Sequence, residues 1–453
     1  MKASSCNHSW PTRMGALLLC LIAFSFFLWP IYRVHLNTIL DDSNEGWNAY
    51  FADAAMGRFP LYPSPDKLIT NNYPPLSFYI NGALGRLTGD NVISGRILSL
   101  IGVMGVTAAI GGIVISMGCD AFSASVGAAY FLLIISRFYT RYVGMNDPQL
   151  FAQGIMAFAC LWFLQSAKHE RSCVGSVLLM VLAGFFKHNI VAMPLAAMLW
   201  LAIHNRSEFF KCSIIALISI IAGFGACCAI YGRDFLHNFC VPRGFSLADG
   251  FSSCTHLRWI AVGLLIWVYA GWKLRDQPRI LFVNLLVITG LVISFIQQCG
   301  EGVDYNAEFD LLIGVSIGMG TAFGNASVLP LAKYVRPEYL KMTVFMAIFI
   351  SLALLHSLSL NPIKSLRNGS LWRLITESQR AMERSVEKVR NTQGDVVTDP
   401  MVSYRAGKNF FWDSFNSEER IDAGSLPEDT LKNLYKIGKA TEVIVDPSVY
   451  ILQ

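Results

Sequence analysis

Three carboxylates, Asp41, Asp42 and Glu45, stand within five residues just past a long apolar run. Charges so close repel one another unless a cation, a metal or solvent relieves them. A carboxylate that takes a proton from a hydroxyl works in such a partly shielded setting. The plain alternative is a helix cap, since Asp41-Asp42-Ser43-Asn44 is also good capping sequence. More polar residues recur between later apolar runs: Asn71-Asn72-Tyr73-Pro74-Pro75, then Arg141 to Asp147, then Lys187-His188-Asn189. An ionisable pair wedged between apolar runs, as at Lys187-His188, is a functional candidate by default. Its plain alternative is a lysine snorkelling to the interface. Arg233, Asp234, His237, Asn238, Arg243 and His256 share one segment, and fixed cations of this kind suit a phosphate ester or a lipid headgroup. Glu301, Asp304, Glu308 and Asp310 surround Asn306, and a polar cluster leading into lipid faces a cavity.

The elements that must position these residues are membrane spans. The chain of 453 residues is 54% hydrophobic and only 15% charged, against roughly a quarter charged in soluble domains. Runs such as 14–28, 97–117 and 212–230 hold no Asp, Glu, Lys or Arg. A helix of about 20 apolar residues crosses a bilayer because it satisfies its own backbone polar groups. The expected spans are 14–36, 93–116, 122–138, 148–167, 173–187, 189–204, 212–231, 259–273, 279–298, 309–325 and 341–359. The first is read as an uncleaved span rather than a signal peptide, because a polar segment and not a small-residue cleavage pattern follows it. The net charge of +5 is modest and gives no reason to expect nucleic acid. Most of the 11 cysteines lie in apolar runs, as small core residues do, while Cys240 and Cys254 share a polar loop and could pair.

Short-loop charge sets the orientation. With the N-terminus in the cytoplasm, Lys2 and Arg13, Lys168 and Arg171, Arg206 and Lys211, Lys273, Arg275 and Arg279, and Lys333, Arg336 and Lys341 all fall inside. The acids, amides and remaining cations then fall outside, with 37–92 as the long first outer loop. Residues 1–360 are expected to form the membrane domain and 361–453 a small extracytoplasmic α/β domain. In the latter, Trp372–Arg390 reads as a helix, Val396–Thr398 and Val443–Val445 as short strands, and Ser425 to Glu428 as a capping box opening a helix through Lys436.

Three elements in order, Asn44-Glu45-Gly46, Asn72-Tyr73-Pro74-Pro75-Leu76 and Gly95-Arg96-Ile97-Leu98-Ser99, resemble the first outer loop of bacterial GT-C glycosyltransferases. These belong to the protein-mannosyltransferase and aminoarabinose-transferase superfamily. Lys187-His188 is similar to a Lys-Gln turn of one subgroup. Gly302 to Asp310 is similar to its Gly-x-Asn-x-Asn-x-x-x-Glu element, and Ala406-Gly407-Lys408 to Asp413 to its Ala-Gly-Lys-x-x-x-x-Asp segment. The resemblance samples most of the chain. It departs from relatives at Asn44, where many have the first acid of an Asp-Glu pair. It departs again at Met145, where an arginine is common, and at Tyr73, where the aminoarabinose enzymes have lysine.

The resemblance implies a mostly α, polytopic GT-C-like bundle of about 11 spans. It implies inverting transfer of a sugar from a polyprenyl-phosphate donor to a glycan, lipid or protein acceptor. A first-loop carboxylate, Glu45 with Asp42 and Asp41 in reserve, would act as base. Lys187, His188, Arg141 and Arg243 would hold the donor phosphate. Asn44, Asn72, Tyr73, Asp147, Asn306 and Asp310 would contact substrate. No cofactor is implied with certainty; a divalent cation is compatible with so many carboxylates, although no His/Asp metal-ligand spacing is present. The expected location is the bacterial inner membrane, among membrane lipids, with the C-terminal domain periplasmic. Two alternatives stay open: a transporter or flippase of lipid-linked glycans, and a glycan-assembly protein without catalysis.

Overall fold

A computed structural model describes residues 8–39, 44–355 and 370–449. Each of the eleven expected spans falls on a helix. They are α1 (Trp10–Arg33), α4 (Asn91–Ser116), α5 (Ala121–Phe138), α6 (Gln149–Lys168), α7 (Val174–Gly184), α8 (Ala192–His204), α9 (Arg206–Tyr231), α12 (Ala261–Lys273), α13 (Pro278–Gln298), α14 (Phe309–Gly324) and α15 (Pro337–Leu355). Among the described residues eight helices, three of them α1, α4 and α9, are long and apolar enough to cross a membrane alone. The other three differ from expectation. Helices α7 and α8 have 11 and 13 residues, and α12 meets the preceding segment, 247–259, at 84°. The chain is an integral membrane protein; among the described residues eight helices, or nine with the bent pair as one, suit a full span, and α7 and α8 form a short hairpin whose tip is Lys187-His188-Asn189.

Local chemistry sets the helix ends. Asp90, Asp120 and Asn205 accept backbone N–H bonds of Val92, Ser123 and Glu208, so α4, α5 and α9 each start on a capping side chain. Helices α4 and α6 cross at small residues: a Cβ on Gly154 would lie 3.1 Å from the Gly102 carbonyl oxygen. Such a crossing brings backbones close enough for dispersion to hold helices together in lipid, where no hydrophobic force between them operates. Helix α14 is buried along almost its whole length, between α5, α12 and α13. Helices α9 and α15 lie at the periphery and face lipid.

Shorter helices build the outer end. The loop after α1 leads into α2 (Asn44–Ala55) and α3 (Leu76–Thr88), and α10 (Arg233–Phe239) and α11 (Leu247–Ser253) follow α9. The C-terminal segment holds α16 (Ser370–Asn391), β1 (Asp395–Val397), α17 (Pro400–Arg405), α18 (Ser414–Asp422), α19 (Thr430–Lys436) and β2 (Ala440–Glu442). Strands β1 and β2 pair in parallel, Asp395 with Ala440 through Val397 with Glu442. The second strand thus begins three residues before the expected 443, and Val443 continues the extended path by donating its N–H to the Val397 carbonyl at 3.0 Å. The expected capping box at Ser425 does not form. Ser425 donates to the Arg420 carbonyl instead, and α19 starts only at Thr430. Cys240 and Cys254 remain free thiols, so the pairing considered for them is not made.

The C-terminal segment shares a core with the first loop. Ala381, Met382, Val386 and Val389 of α16, with Val396, Met401, Val402, Val443 and Val449, pack on Ile39, Ala49 and Val92. The expected domain boundary near 361 lies outside the described residues.

Candidate active site

The first-loop acid expected to be the base is buried and paired. Glu45, in the first turn of α2, is completely buried. Arg96 of α4 grips it through two bonds of 2.7 Å, Nε to Oε1 and Nη2 to Oε2. The Asn146 N–H donates to Oε1 at 2.9 Å. Arg96 spends its remaining hydrogens on backbone carbonyls, those of Leu36 and Thr38 at 2.7 and 3.0 Å and those of Arg33 and Val34 at 3.3 Å each. This cluster ties the exit of α1, the start of α2, α4 and the loop before α6 into one unit. A base must reach a substrate proton. Glu45 does not line the cavity described next. Asp41 and Asp42 lie outside the described residues.

An open cavity of about 480 Å³ lies where the loops converge. It receives Asn44 of α2, Asn72 and Tyr73 of the first loop, Arg141, Tyr142 and Asp147 of the second, and Lys187, His188 and Asn189 of the hairpin tip. Arg243, Gln297, Asp304 and Asn306 line it from the later loops, and Asp413, Phe415 and Asn416 from the C-terminal segment. The four residues expected to hold phosphate, Lys187, His188, Arg141 and Arg243, are therefore together. So are Asn44, Asn72, Tyr73, Asp147 and Asn306. Asp310 is the exception: it is buried and accepts from the Gln153 amide at 2.9 Å and the Ala192 N–H at 3.2 Å. It joins the start of α8 to α6 and does not line the cavity.

The cationic pole centres on Lys187, 3% exposed. Its Nζ lies 3.3 Å from Asp147 Oδ2 and 3.6 Å from the centre of the Tyr73 ring. A ring face attracts a cation more strongly where water is excluded. The Asn44 amide donates to the same Asp147 oxygen at 2.9 Å, while the Gln149 N–H occupies Oδ1 at 2.7 Å. Asn44, being an amide, cannot take a proton, but it positions Asp147. Arg243 lies over the Phe415 ring at 4.6 Å and donates to the Glu301 carbonyl, and Arg141 lies over Tyr305 at 5.9 Å.

Several cavity residues, Asp304, Asp413, Phe415 and Asn416 among them, were not among the expected site residues. Asp304 is half-buried; its Oδ1 accepts its neighbour's N–H, from Tyr305, at 2.7 Å, and its Oδ2 the Tyr142 hydroxyl at a long 3.2 Å. It is the described cavity carboxylate with the weakest-held outer oxygen. Asp413 caps α18 and accepts from the Asn416 amide at 2.7 Å and the Trp47 indole at 3.2 Å. Burial pushes its carboxyl above the usual carboxylate range. Asp304 and Asp413 both stood in the motifs that carry the resemblance. Phe415 and Asn416 left no signal. Among the described residues no group of three His, Cys, Asp or Glu is placed to hold a metal ion.

A second hollow, of about 260 Å³, abuts the first. It is an apolar groove among α7, α8, α9 and α10, walled by residues such as Val177, Val181, Ile220 and Phe224. His188 and Phe239 line both spaces. A polar chamber with a cationic wall and a greasy slot thus lie on either side of these two side chains.

No protein-family model matches the chain, and no curated protein matches its sequence. Solved structures do match. ArnT from Cupriavidus metallidurans in the apo state aligns with TM-score 0.59 at 10% identity, over 96% of this chain and 93% of that one. The same protein bound to undecaprenyl phosphate gives 0.57 at 11% identity over the same shares. The apo oligosaccharyltransferase of Archaeoglobus fulgidus gives 0.54 at 10% identity, over 90% of this chain and 65% of that one. Likeness at this identity is likeness of fold, shared with these membrane proteins over most of the chain.

Proposed function

We propose that the chain is a glycosyltransferase that takes its sugar from a polyprenyl-phosphate carrier. One observation carries the reading: a cation-lined chamber and an apolar groove lie side by side and share His188 and Phe239 in their walls. A carrier of this class has one ionic head and one long hydrocarbon tail, and the two spaces match those two chemistries. ArnT, a protein of this fold, is known with undecaprenyl phosphate bound. The archaeal oligosaccharyltransferase is known in complex with a dolichol-phosphate, and that complex aligns at TM-score 0.51 and 11% identity.

The chemistry follows from the poles. The tail lies in the groove, and the phosphate meets Lys187, His188, Arg243 and Arg141. An acceptor hydroxyl attacks the anomeric carbon from the side opposite the phosphate, and the bond from that carbon to the phosphate oxygen breaks. Negative charge grows on the departing phosphate, where the fixed cations Lys187, Arg243 and Arg141 stabilise it most. The hydroxyl proton passes to a carboxylate on the chamber wall. Asp304 fills that role best among the described residues, since Asp147 is held by Lys187 and Asn44, and Asp413 by Trp47 and Asn416. The outer leaflet is the working side, with the N-terminus in the cytoplasm.

Purified protein given a polyprenyl-phosphate sugar should release polyprenyl phosphate and glycosylate an acceptor. Asp304→Asn should abolish release while Asp41→Asn and Asp42→Asn keep it. Loss in either first-loop variant alone would return the base to that loop. A protein that binds the donor and moves it across a bilayer intact would overturn the transferase reading in favour of transport.

A further inference from the structure

A third hollow lies at the other end of the bundle. Helix α14 starts beside the chamber and runs about 24 Å, at 1.5 Å per residue over its 16 residues, before it reaches this cleft. The cleft encloses about 320 Å³ between α12, α14, α15 and the turns at 326–333. Its wall is apolar, including Leu265, Ile266, Met319, Phe323 and Val344, with one charged side chain, Lys341.

Lys341 is 7% exposed. Its Nζ donates to His8 Nδ1 at 3.3 Å and lies 5.0 Å from the Phe323 ring centre. The other ring nitrogen of His8 lies 2.8 Å from Asp120 Oδ2, and Asp120 is already committed to capping α5. A neutral imidazole protonated on Nε2 satisfies both contacts, accepting from Lys341 and donating to Asp120. Among the described residues no carboxylate reaches the ammonium itself. A buried ammonium without a direct counter-ion is costly in a bilayer, and the residue's position on an apolar slot shows where an anion can reach it. Exposed cations, Lys333 and Arg336 from the turn before α15 and Arg275 after α12, stand at the same end.

We propose that this cleft is a binding site for an anionic glycerophospholipid. One acyl chain fills the apolar slot between α12 and α15, and the headgroup phosphate ion-pairs with Lys341 beneath the basic rim. Basic pockets between transmembrane helices recognise anionic headgroups in this way, and the chain restores dispersion contacts that an empty slot forfeits. The site is separate from the chamber, so the proposal stands whether or not the chain is a transferase.

The test uses the full-length protein in neutral detergent, with phosphatidylglycerol and phosphatidylcholine of matched chains as probes. Native mass spectrometry of the unsubstituted protein should retain phosphatidylglycerol in preference to phosphatidylcholine, and phosphatidylglycerol should raise the unfolding temperature more. Lys341→Gln should lower the apparent affinity for phosphatidylglycerol about tenfold and leave phosphatidylcholine unchanged. Lys333→Ala with Arg336→Ala should have a smaller effect, because those side chains are hydrated. Equal retention of the two lipids by the unsubstituted protein overturns the proposal without any variant. So does a Lys341→Gln protein that folds and keeps its preference.

Discussion

Glu45 and Asp304 carry the same charge in opposite surroundings, and substitution should separate them. Glu45→Gln removes the negative half of a buried bidentate pair and strands Arg96, a loss of about 3–5 kcal/mol. The expected outcome is a large fall in unfolding temperature or in recovered protein. Asp304→Asn breaks one long bond from Tyr142 and should leave the unfolding temperature within a few degrees while release of polyprenyl phosphate disappears. A folded, inactive Glu45→Gln protein would restore Glu45 to the chemistry. Lys187→Met should lower transfer by about 100-fold or more, the scale seen when one stabiliser of growing negative charge is lost. Pairing it with Asp147→Asn relieves the stranded acid and keeps the fold measurable. At this scale the sequence disclosed which loops hold the site, because ionisable residues beside apolar runs are conspicuous. It could not disclose which acid is free. Glu45 is paired with Arg96, 51 positions away, and only the folded arrangement reports that contact.

The same limit operates among the elements. Eleven apolar runs gave eleven helices, but hydropathy cannot distinguish a full span from the short α7–α8 hairpin. The hairpin places its polar tip in the chamber wall and its apolar flank in the groove. Gly184 at the end of α7 lines the groove, and a Cβ there meets nothing within 4 Å. Gly184→Phe should therefore fill the groove without disturbing the hairpin. The expected signature is a raised KM for a long-chain polyprenyl donor and an unchanged KM for a donor with one or two isoprene units. Equal effects on both would place the tail elsewhere. The cap of α18 gives a pH test. Burial raises the Asp413 carboxyl, so the folded protein holds this proton more tightly than the unfolded chain. Its contribution to stability is complete below the ordinary carboxylate value of about 3.9 and declines as pH rises through the raised one. Asp413→Asn, which keeps a capping oxygen, should flatten that part of the unfolding-temperature profile.

Across the whole molecule, the C-terminal segment and the first loop act as one body over the chamber. Composition marked where this segment begins to differ from the membrane region, but gave no sign of what it covers. The contact is made at Gly46, directly after the buried acid. A Cβ on Gly46 would collide with the backbone of Pro400 and Met401, so α17 sits on α2 main chain to main chain. Arg420 adds bonds to the carbonyls of Lys67 and Pro65, at 2.7 and 2.8 Å, and Arg405 reaches Asp90. Overpacking in a core commonly costs about 1–3 kcal/mol, and here neither partner is a side chain that can swing away. Gly46→Ala should therefore lift the segment from the membrane helices rather than melt them. Protease should then cut between 392 and 413 in the variant and spare the same stretch in the unsubstituted protein. Lifting α17 and α18 also withdraws Asp413, Phe415 and Asn416 from the chamber but leaves Lys187, His188 and the groove in place. Binding of polyprenyl phosphate should persist while transfer to acceptor falls. A Gly46→Ala protein that resists protease and transfers normally would mean that the segment does not depend on this contact to close the site.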